Sequence, residues 1–363
     1  MDLLQQARAE IDTVDAEMAA LFERRMRAVA DVVRYKAETG KPVFDAAREA
    51  AVLDKNTARI TDEALRPYYR AFLSDAMSIS RAYQRARLGR DTAAYQGVPG
   101  AWSHIALRRL FPFARETACT TWGEVFDAVQ NGDAQFGVLP FENSNAGDVS
   151  TVLDLLYTHP DIIIARMCDL PIRQDLLGVP GAKVDEITQV FSHEQGFAQC
   201  PKFLGEHPAW VTTPYFNTAI AARHVAEMGD KHCAAIASRL AAKHYGLEIL
   251  APDIHTFDGN HTRFIVVSAS PTPIGIPDKA TVTFTLRHER GTLMRALSSF
   301  VAMGMNMTHI ESRPLHNSNW EYCFYVDLTG NLRDSNLGVL MGSLQGDCEN
   351  CRLLGVYQAA RED

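Results

Sequence analysis

Apolar side chains recur every three or four positions through the N-terminal part of the chain, which predicts one long amphipathic helix. The seam of this helix is formed by Leu4, Ala7, Ile11, Val14, Met18, Leu21, Ala28, Val32 and Tyr35. Gly40 and Pro42 predict its end, because glycine and proline both interrupt helices. A second helix is predicted to begin at Asp45 and a third at Pro67. We therefore expect residues 1–90 to form an all-α domain.

Short apolar runs alternate with amphipathic segments between residues 93 and 269, which predicts an α/β domain with a mainly parallel sheet. Strands are predicted at residues 93–96, 136–141, 162–165, 189–191, 210–212 and 233–237. Helices are predicted at residues 103–111, with Ser103 as the N-cap, and at residues 193–205, 217–227 and 239–245. This length of chain suffices for two lobes with a cleft between them. Ligands of such domains bind beyond the carboxyl ends of strands.

The last part of the chain follows a proline-rich stretch, residues 270–277, which is typical of a linker. Its pattern predicts the order βαββαβ, a ferredoxin-like α+β domain at residues 280–358. The predicted strands are 281–286, 307–312, 322–328 and 352–357, and the helices are 291–304 and 337–344. Because a linker precedes this module, truncation near residue 275 is expected to leave the preceding domain functional.

Composition narrows the classes of partner. The 363-residue chain carries a formal net charge of −8, which argues against nucleic acid as its main partner. It contains no apolar run near the roughly 20 residues of a membrane span, and its N-terminus has no signal-peptide pattern. Seven scattered cysteines predict reduced thiols and a cytoplasmic location.

Metal and nucleotide motifs are not found in the sequence. Cys348 and Cys351 form one CxxC pair, but a metal site would need a second pair or nearby histidines, so we interpret this pair as structural. Neither a GxGxxG nor a Walker pattern occurs. We therefore expect no cofactor and no metal.

Two cations lie along the apolar face of the first helix. At about 100° per residue, Arg25 and Lys36 are close to three full turns apart and share that face. A buried arginine is costly unless paired, so the two predict a pocket for a dianion; a register slip or an arginine reaching the edge of the seam is the alternative. Arg8 lies about a quarter turn away and would suit a neighbouring helix or subunit better than the same pocket. On the third helix, Ser80 and Gln84 are spaced i, i+4 and share a face.

The spacing of these residues across positions 1–90 resembles that of the all-helical chorismate mutases. The resemblance implies that Arg8, from the partner subunit, and Arg25 bind the two substrate carboxylates. Lys36 and Gln84 would donate hydrogen bonds to the ether oxygen, and Glu49 would bind the substrate hydroxyl. Further pocket residues would be Asp45, Arg48 and Ser80. Three helices, one of them so long, do not easily form a compact monomer, so we expect an intertwined dimer.

A polar group opens the predicted strand that follows the Gly259-Asn260 turn. Thr262 and Arg263 stand at its start, before Phe264. An ordinary hairpin with Arg263 facing solvent is one reading, and an anionic substrate meeting a hydroxyl and a guanidinium is the other. A second polar group, Glu142-Asn143-Ser144, follows the predicted strand 136–141.

Five segments carry a resemblance to the prephenate dehydratases: residues 95–106, 137–144, 192–200, 217–219 and 262–264. The resemblance implies a two-lobed domain, like periplasmic binding proteins, at residues 93–269, with Thr262 as the residue most closely tied to dehydration. A hydroxyl is too weak an acid to ionise, so we expect it to hydrogen-bond the departing hydroxyl, with Glu142 or water as the proton source. Expected substrate-binding residues are Ser103, Glu142, Asn143, Ser144, Asn217 and Arg263. For Arg263 a structural ion pair is the alternative.

The last module resembles the amino-acid-binding ACT domain. Glu311-Ser312-Arg313-Pro314 matches the phenylalanine-responsive motif of that family, whereas Gly291-Thr292-Leu293-Met294 departs from its Gly-Ala-Leu-Val segment. The resemblance implies L-phenylalanine as effector, bound by Gly291, Leu293, Glu311, Ser312, Arg313 and Pro314. A strand-edge ion pair is the alternative for Glu311 and Arg313.

Together these resemblances imply a bifunctional enzyme, a homodimer or larger homo-oligomer, that converts chorismate to prephenate and prephenate to phenylpyruvate under phenylalanine control. The alternative is a non-catalytic sensor of anions or amino acids.

Overall fold

The computed structural model describes residues 3–89, 91–145, 147–269, 277–286, 289–315, 321–330, 332 and 334–360. Ala146 and residues 270–276, most of the predicted linker, lie outside this range. The chain divides into two compact units. The first comprises residues 1–91 and 113–115, and the second comprises residues 92–112 and 116–363.

Within residues 3–89 the first unit contains helices and no strand, as predicted. Its α-helices are α1 (Leu3–Thr39), α2 (Ala46–Thr57) and α3 (Arg66–Arg87), with a short 3₁₀ turn at Glu63–Leu65. The side chain of Asp45 caps α2 by accepting a hydrogen bond from the Arg48 backbone N–H at 3.0 Å. Among its described residues α1 buries only Val33, while Ile11 and Leu21 are 57% and 60% exposed. The apolar seam of α1 is therefore not covered within this unit.

The second unit begins with alternating strands and helices. Up to residue 171 these are β1 (Thr92–Gln96), α4 (Trp102–Leu110), β2 (Arg115–Cys119), α5 (Trp122–Gln130), β3 (Phe136–Asn143), β4 (Gly147–Asp148), α6 (Ser150–Thr158) and β5 (Ile163–Pro171). To residue 268 they are β6 (Asp175–Gly178), β7 (Gln189–Ser192), α7 (Glu194–Ala198), α8 (Pro201–Gly205), β8 (Val211–Pro214), α9 (Thr218–Met228), β9 (Cys233–Ala237), α10 (Arg239–Tyr245), β10 (Glu248–Ala251) and β11 (His261–Ser268).

Two separate sheets hold these strands, and both are mixed, so the expectation of a mainly parallel sheet was wrong. The small sheet has the order β10-β6-β9-β7-β8, with β6 antiparallel to both of its neighbours. In the large sheet β11 runs antiparallel to β3 and to β5. The reason is that the chain leaves the large sheet through β5 and returns to it through β11, so these two strands run in opposite directions. In the small sheet β6 is the strand that enters and β10 the strand that leaves, and they are antiparallel as well.

These crossings lie side by side. The Ile172 N–H donates to the Asn260 carbonyl at 2.9 Å, and the Ile254 N–H donates to the Gln174 carbonyl at 2.8 Å. The first crossing leads from β5 to β6, and the second leads from β10 back to β11. Thr262 directly follows this crossing, at the beginning of β11. The two sheets thus form two lobes around a common junction.

Two local predictions for this region were wrong. The helix expected at residues 193–205 is divided into α7 and α8, because Pro201 lacks the N–H needed to continue it and instead begins the second helix. Ser103 is not an N-cap: α4 starts one residue earlier, and Ala101 occupies the cap without a side-chain hydrogen bond. Ser103 therefore lies inside the first turn.

The C-terminal region has the predicted order βαββαβ. Its elements are β12 (Lys279–Leu286), α11 (Thr292–Ala302), β13 (Asn306–Pro314), β14 (Tyr322–Thr329), α12 (Asp334–Asp347) and β15 (Cys348–Ala360). Its strands have the order β13-β14-β12-β15, and β15 also pairs in parallel with β5. The C-terminal strands and the large sheet are consequently one continuous sheet.

Gly355 on β15 allows the close approach of β15 to β5. A Cβ atom at this position would overlap the Ile164 carbonyl oxygen. Cys323, Tyr325, Leu354 and Tyr357 of the C-terminal strands belong to the same buried cluster as the core of the lobe built on the large sheet. The C-terminal region therefore shares both a sheet and a core with that lobe.

In the described part of the chain, no helix has the length and apolar character needed to cross a membrane.

Candidate active sites

Folding of the first unit brings Arg25 and Ser80 together. Arg25 Nη1 donates to Ser80 Oγ and, at 3.1 Å, to the Ala76 carbonyl. Ser80 is 4% exposed, and it anchors itself on the same carbonyl at 2.8 Å. The guanidinium predicted to bind a carboxylate is thus held against α3, and not directed away from the helices.

Lys36 and Gln84 form the second contact between α1 and α3. Lys36 Nζ donates to Gln84 Oε1 at 3.0 Å and to the Val43 carbonyl at 2.7 Å. Gln84 is 8% exposed. Because Gln84 Oε1 faces the ammonium of Lys36, the N–H₂ group of Gln84 points away from that ammonium. The Lys36 ammonium and the Gln84 N–H₂ group are thus two neighbouring donors for a ligand.

The remaining predicted residues of the helical site have different surroundings. Glu49 pairs with Arg81, whose guanidinium lies over the Phe44 ring at 5.6 Å from its centroid. The exposed Arg8 and Arg48 make no side-chain hydrogen bond or ion pair within the described residues. Asp45 is occupied in capping α2. Arg81 was not predicted; its place three residues before Gln84, on one helix face, was the available signal.

A cleft of about 760 Å³ occupies the junction of the two lobes in the second unit. The residues lining this cleft include Gln96, Trp102, Ser103, Trp122, Asn143, Asp148, Gln174, His193, Gln195, Gln199, Asn217, Thr218, Thr262 and Phe264. Ser103, Asn143, Asn217 and Thr262, four of the predicted residues, are brought together here. Asn217 also caps α9 by accepting from the Ile220 N–H at 2.7 Å.

Thr262 is oriented by Asn143. Asn143 Nδ2 donates to Thr262 Oγ1 at 2.9 Å and to Asn260 Oδ1 at 3.0 Å. Asn143 Oδ1 accepts from the Asn145 N–H at 3.0 Å, which fixes the carboxamide. Because Thr262 Oγ1 accepts the hydrogen bond from Asn143, its own proton remains available to donate. The cleft therefore contains a hydroxyl that is set up as a donor.

Glu142, Ser144 and Arg263 do not line this cleft. Successive side chains of a strand point to opposite faces, and Arg263 follows the cleft-facing Thr262. Arg263 Nη1 donates to Glu142 Oε2 at 2.6 Å, and its Nε donates to Asp169 Oδ1 at 2.9 Å. Ser144 Oγ donates to the Gly259 carbonyl at 3.1 Å and accepts from the His261 N–H. Their contacts favour structural pairing, the alternative stated for Arg263.

The turn between β1 and α4 is held by a buried histidine. The Gly100 N–H donates to His104 Nδ1 at 3.0 Å, and His104 Nε2 lies 3.1 Å from Glu116 Oε2. Burial lowers the pKa of His104, although the Glu116 hydrogen bond opposes this shift. A neutral ring with an acceptor at Nδ1 is what the Gly100 contact requires. The hydrogen bond between Gly100 and His104 thus holds in place the backbone of the turn before α4, which lies beside the cleft.

One cluster has the spacing of metal ligands: atoms of Glu142, Asp148 and His309 all lie within 4.8 Å of one another. Glu142 is paired with Arg263, and Asp148 is paired with His309 at 3.1 Å. Since these groups already meet cationic side chains, their contacts account for the cluster as ion pairs. The expectation of no metal stays a prediction.

Two family profiles match the chain. The chorismate mutase type II profile matches residues 7–85, and the prephenate dehydratase profile matches residues 93–272. A bifunctional chorismate mutase/prephenate dehydratase from Neisseria gonorrhoeae is 32% identical over 368 residues, which cover 99% of this chain and 98% of that protein. The chain belongs to this bifunctional family. The predicted family and the expectation of an enzyme with both domains are thereby confirmed.

Solved structures resemble about three quarters of this bifunctional family member. One, titled a prephenate dehydratase from Arthrobacter aurescens in complex with L-Phe, has 32% identity and a TM-score of 0.69 over 74% of this chain and 90% of that chain. Another, titled GqqA, a novel type of quorum quenching acylase, has 32% identity and a TM-score of 0.68 over 74% of this chain and 98% of that one. The α/β fold of the dehydratase region is thus confirmed.

The predicted effector residues occupy two places in the C-terminal region. Gly291 is the N-cap of α11, and Leu293 lines a groove of about 570 Å³ formed entirely by α11 residues. On β13 the burial alternates, with Ser312 and Pro314 exposed and Glu311 and Arg313 partly covered. Arg313 pairs with Asp154 of α6 at 2.9 Å. The ion pair of Arg313 therefore joins the C-terminal region to the dehydratase lobe.

Sequence reasoning missed several residues of the dehydratase cleft, including Gln174, Gln195 and Gln199. Gln174 Nε2 donates to Gln199 Oε1 at 2.8 Å across the junction of the lobes. Gln195 and Gln199 lie within one segment that carries the family resemblance, so a signal existed. Gln174 lies in a crossing whose position depends on the tertiary fold.

Proposed function

We propose that the chain rearranges chorismate to prephenate in its helical unit and converts prephenate to phenylpyruvate in the cleft of its second unit. The contact of Lys36 with Gln84 carries the first assignment, and the hydrogen bond from Asn143 to Thr262 carries the second. Domain boundaries at residues 1–90, 93–269 and 280–358 are part of this proposal.

The mutase reaction is pericyclic, so it needs no nucleophile and no base. Catalysis comes from holding the diaxial conformer and from placing donors where negative charge builds on the ether oxygen. Lys36 and Gln84 supply these donors side by side. Arg25, held by Ser80 and the Ala76 carbonyl, binds one carboxylate, and Arg8 of a second subunit binds the other.

A homodimer follows from the exposed seam of α1. A long amphipathic helix that buries one residue within its own unit leaves its apolar face to a partner. Arg8 is exposed on the same helix and is free to reach the site of a second chain. Glu49, paired with Arg81, stands at the place assigned to the substrate hydroxyl.

In the dehydratase reaction prephenate loses carbon dioxide and its ring hydroxyl. The carbon–carbon bond to the ring carboxylate breaks, its electron pair enters the ring, and the hydroxyl leaves as water after gaining one proton. Aromatisation supplies most of the driving force, so the protein must orient the dianion and assist the leaving group. Thr262 donates a hydrogen bond to that hydroxyl. Glu142 is bound to Arg263 outside the cleft, so water is the proton source in this proposal.

The C-terminal region is proposed to be an ACT domain that binds L-phenylalanine between two copies. Its βαββαβ order supports the assignment, and so does the exposed groove on α11 beside Leu293. Thr292 and Met294 reshape the segment, and inhibition is therefore proposed to be weaker than is usual for the family. A cytoplasmic location accords with seven free cysteines in the described structure.

The deciding experiment is to incubate the purified chain with chorismate and separately with prephenate. Formation of prephenate in the first and phenylpyruvate in the second is expected. Failure of both reactions in folded protein would favour the sensor alternative. Adding phenylalanine during prephenate turnover tests the effector proposal, and an unchanged rate without binding heat would leave the C-terminal region with a structural role only.

A further inference from the structure

Alternate residues of β13 face the dehydratase lobe. His309 Nε2 lies 3.1 Å from Asp148 Oδ1, and four residues further on Arg313 pairs with Asp154. The side chains of His309 and Asp148 are only 14% and 10% exposed. Such a buried pair is sensitive to the loss of either partner, because the remaining charge is left without compensation.

Asp148 belongs to the rim of the dehydratase cleft. It lines the cavity, and it lies on β4, which pairs with the end of β3. In this short hairpin Asp148 lies opposite Glu142, and Gly147 lies opposite Asn143. Asn143 in turn donates the hydrogen bond that orients Thr262. A side chain that fixes Asp148 therefore fixes the strand segment that presents Asn143.

We propose that His309, in its charged form, is a positioning residue of the dehydratase site: it holds Asp148 and thereby keeps Asn143 in place to orient Thr262. This inference rests on the proposed dehydratase function. It assigns to the C-terminal region a direct part in the basal reaction, because the cleft rim is completed by a residue of β13.

The charges around His309 favour its cationic form. It faces Asp148 on β4, Glu142 on β3 and Asp327 on β14, with Glu311 on its own strand. Arg263 is nearby as the partner of Glu142. The hydrogen bond to Asp148 raises the pKa of His309 above its ordinary 6.5, against the opposing effect of burial. Burial, followed by the charge of Asp148, raises the pKa of Glu311.

The direction of the pH effect follows from this shift. A histidine whose pKa is raised on folding stabilises the folded arrangement fully below its unfolded pKa of about 6.5. That contribution is lost as the pH rises through the raised pKa of the folded state. Prephenate turnover is therefore expected to fall as the pH rises through the raised pKa of His309, because the ion pair is lost.

The test uses His309→Gln, which is neutral, and His309→Lys, which keeps a cation without titrating near neutral pH. In full-length protein, kcat and KM for prephenate are measured from about pH 6 to about pH 9. His309→Gln is expected to lower kcat about tenfold at the acidic end, the usual size for a charge-assisted hydrogen bond, with little change in KM. His309→Gln should also remove the decline of kcat with rising pH. His309→Lys should restore kcat and make it independent of pH.

Matched variants keep the interpretation clear. Ile310→Thr, on the solvent-facing side of β13, should behave as wild type. Asp148→Asn should reproduce the effect of His309→Gln, and it serves as the second probe if that variant does not fold. Chorismate turnover should be unchanged in every variant.

A wild-type pH profile in His309→Gln would overturn the proposal. So would a loss that is equal at every pH and is not restored by lysine, since that result indicates only a structural role. Wild-type protein that never converts prephenate would instead refute the proposed function.

Discussion

Lys36 on α1 and Gln84 on α3 lie 48 positions apart in the chain, and their side chains meet with Nζ 3.0 Å from Oε1. The carbonyl of Val43, in the turn between α1 and α2, accepts a second bond from the same ammonium at 2.7 Å. These contacts join both helices and their connection around one cation. The position of Lys36 is thus defined before any substrate binds.

Replacing Lys36 by alanine should lower chorismate turnover by a factor of about 10²–10³, as expected for a donor that stabilises developing negative charge. Prephenate turnover should stay nearly unchanged, because Thr262 lies in the other compact unit. Both rates are measured on the same preparation. Lys41→Ala, at an exposed lysine nearby, is the control and should retain mutase activity. A loss of both activities in folded Lys36→Ala protein would contradict the two-site proposal.

Thr262→Val should lower prephenate turnover by about 10²-fold or more, since the variant keeps the shape of the side chain and removes the donor. Thr262→Ser is the matched control: it retains the hydroxyl and should keep most of the activity. The measurement is kcat for phenylpyruvate formation, with chorismate turnover as the internal reference. Equal rates in the valine and serine variants would show that the hydroxyl has no part in the reaction.

Mixing Arg8→Ala protein with Arg25→Ala protein should restore part of the mutase activity that each has lost. The physical reason is that an exposed Arg8 reaches a neighbouring subunit, so a mixed dimer contains one site with both arginines intact. Subunit exchange is verified with differently tagged chains. If exchange is complete and no activity returns, each site is built from a single chain.

Gly355→Ala should destabilise the second unit by about 1–3 kcal/mol or more, because the new methyl group would overlap the Ile164 carbonyl. Denaturant unfolding of the full chain, followed by tryptophan fluorescence, measures the change. Gly338→Ala is the matched control, since its Cβ would meet open space within α12. That substitution should be neutral or stabilising by about 1 kcal/mol. Equal stability of the two variants would refute close packing of β15 on β5.

Elements with strong local signals were predictable from sequence. The run Cys233–Ala237 is apolar throughout and forms β9, and α10 spans Arg239–Tyr245 as expected. In contrast, β6 was missed: Asp175–Gly178 is too short to display a period, and its buried Asp175 is compensated by Arg239 from a distant helix. Such compensation depends on the tertiary fold.

In the candidate sites, too, local signals were predictable and contacts between distant residues were not. Residue types and helical spacing predicted that Arg25 and Lys36 share a face, and each indeed meets α3. Strand alternation places the adjacent Thr262 and Arg263 on opposite faces of β11, so only one of them can face the cleft. The ion pair of His309 with Asp148 joins positions 161 residues apart, and no local pattern indicates it.

The pairing of β15 with β5 has a consequence for dissecting the chain. Removal of residues after about 275 would leave the backbone groups of β5 without their partner and would uncover the apolar cluster that Tyr325 and Tyr357 complete. An unpaired strand edge beside exposed apolar surface is a template for intermolecular pairing. A truncated protein is therefore expected to aggregate and not to survive as a simplified enzyme, despite the separability that the linker alone predicted. Covering β5 and this cluster is therefore the structural role that we expect of the C-terminal region, and light scattering of the truncated protein would measure its loss.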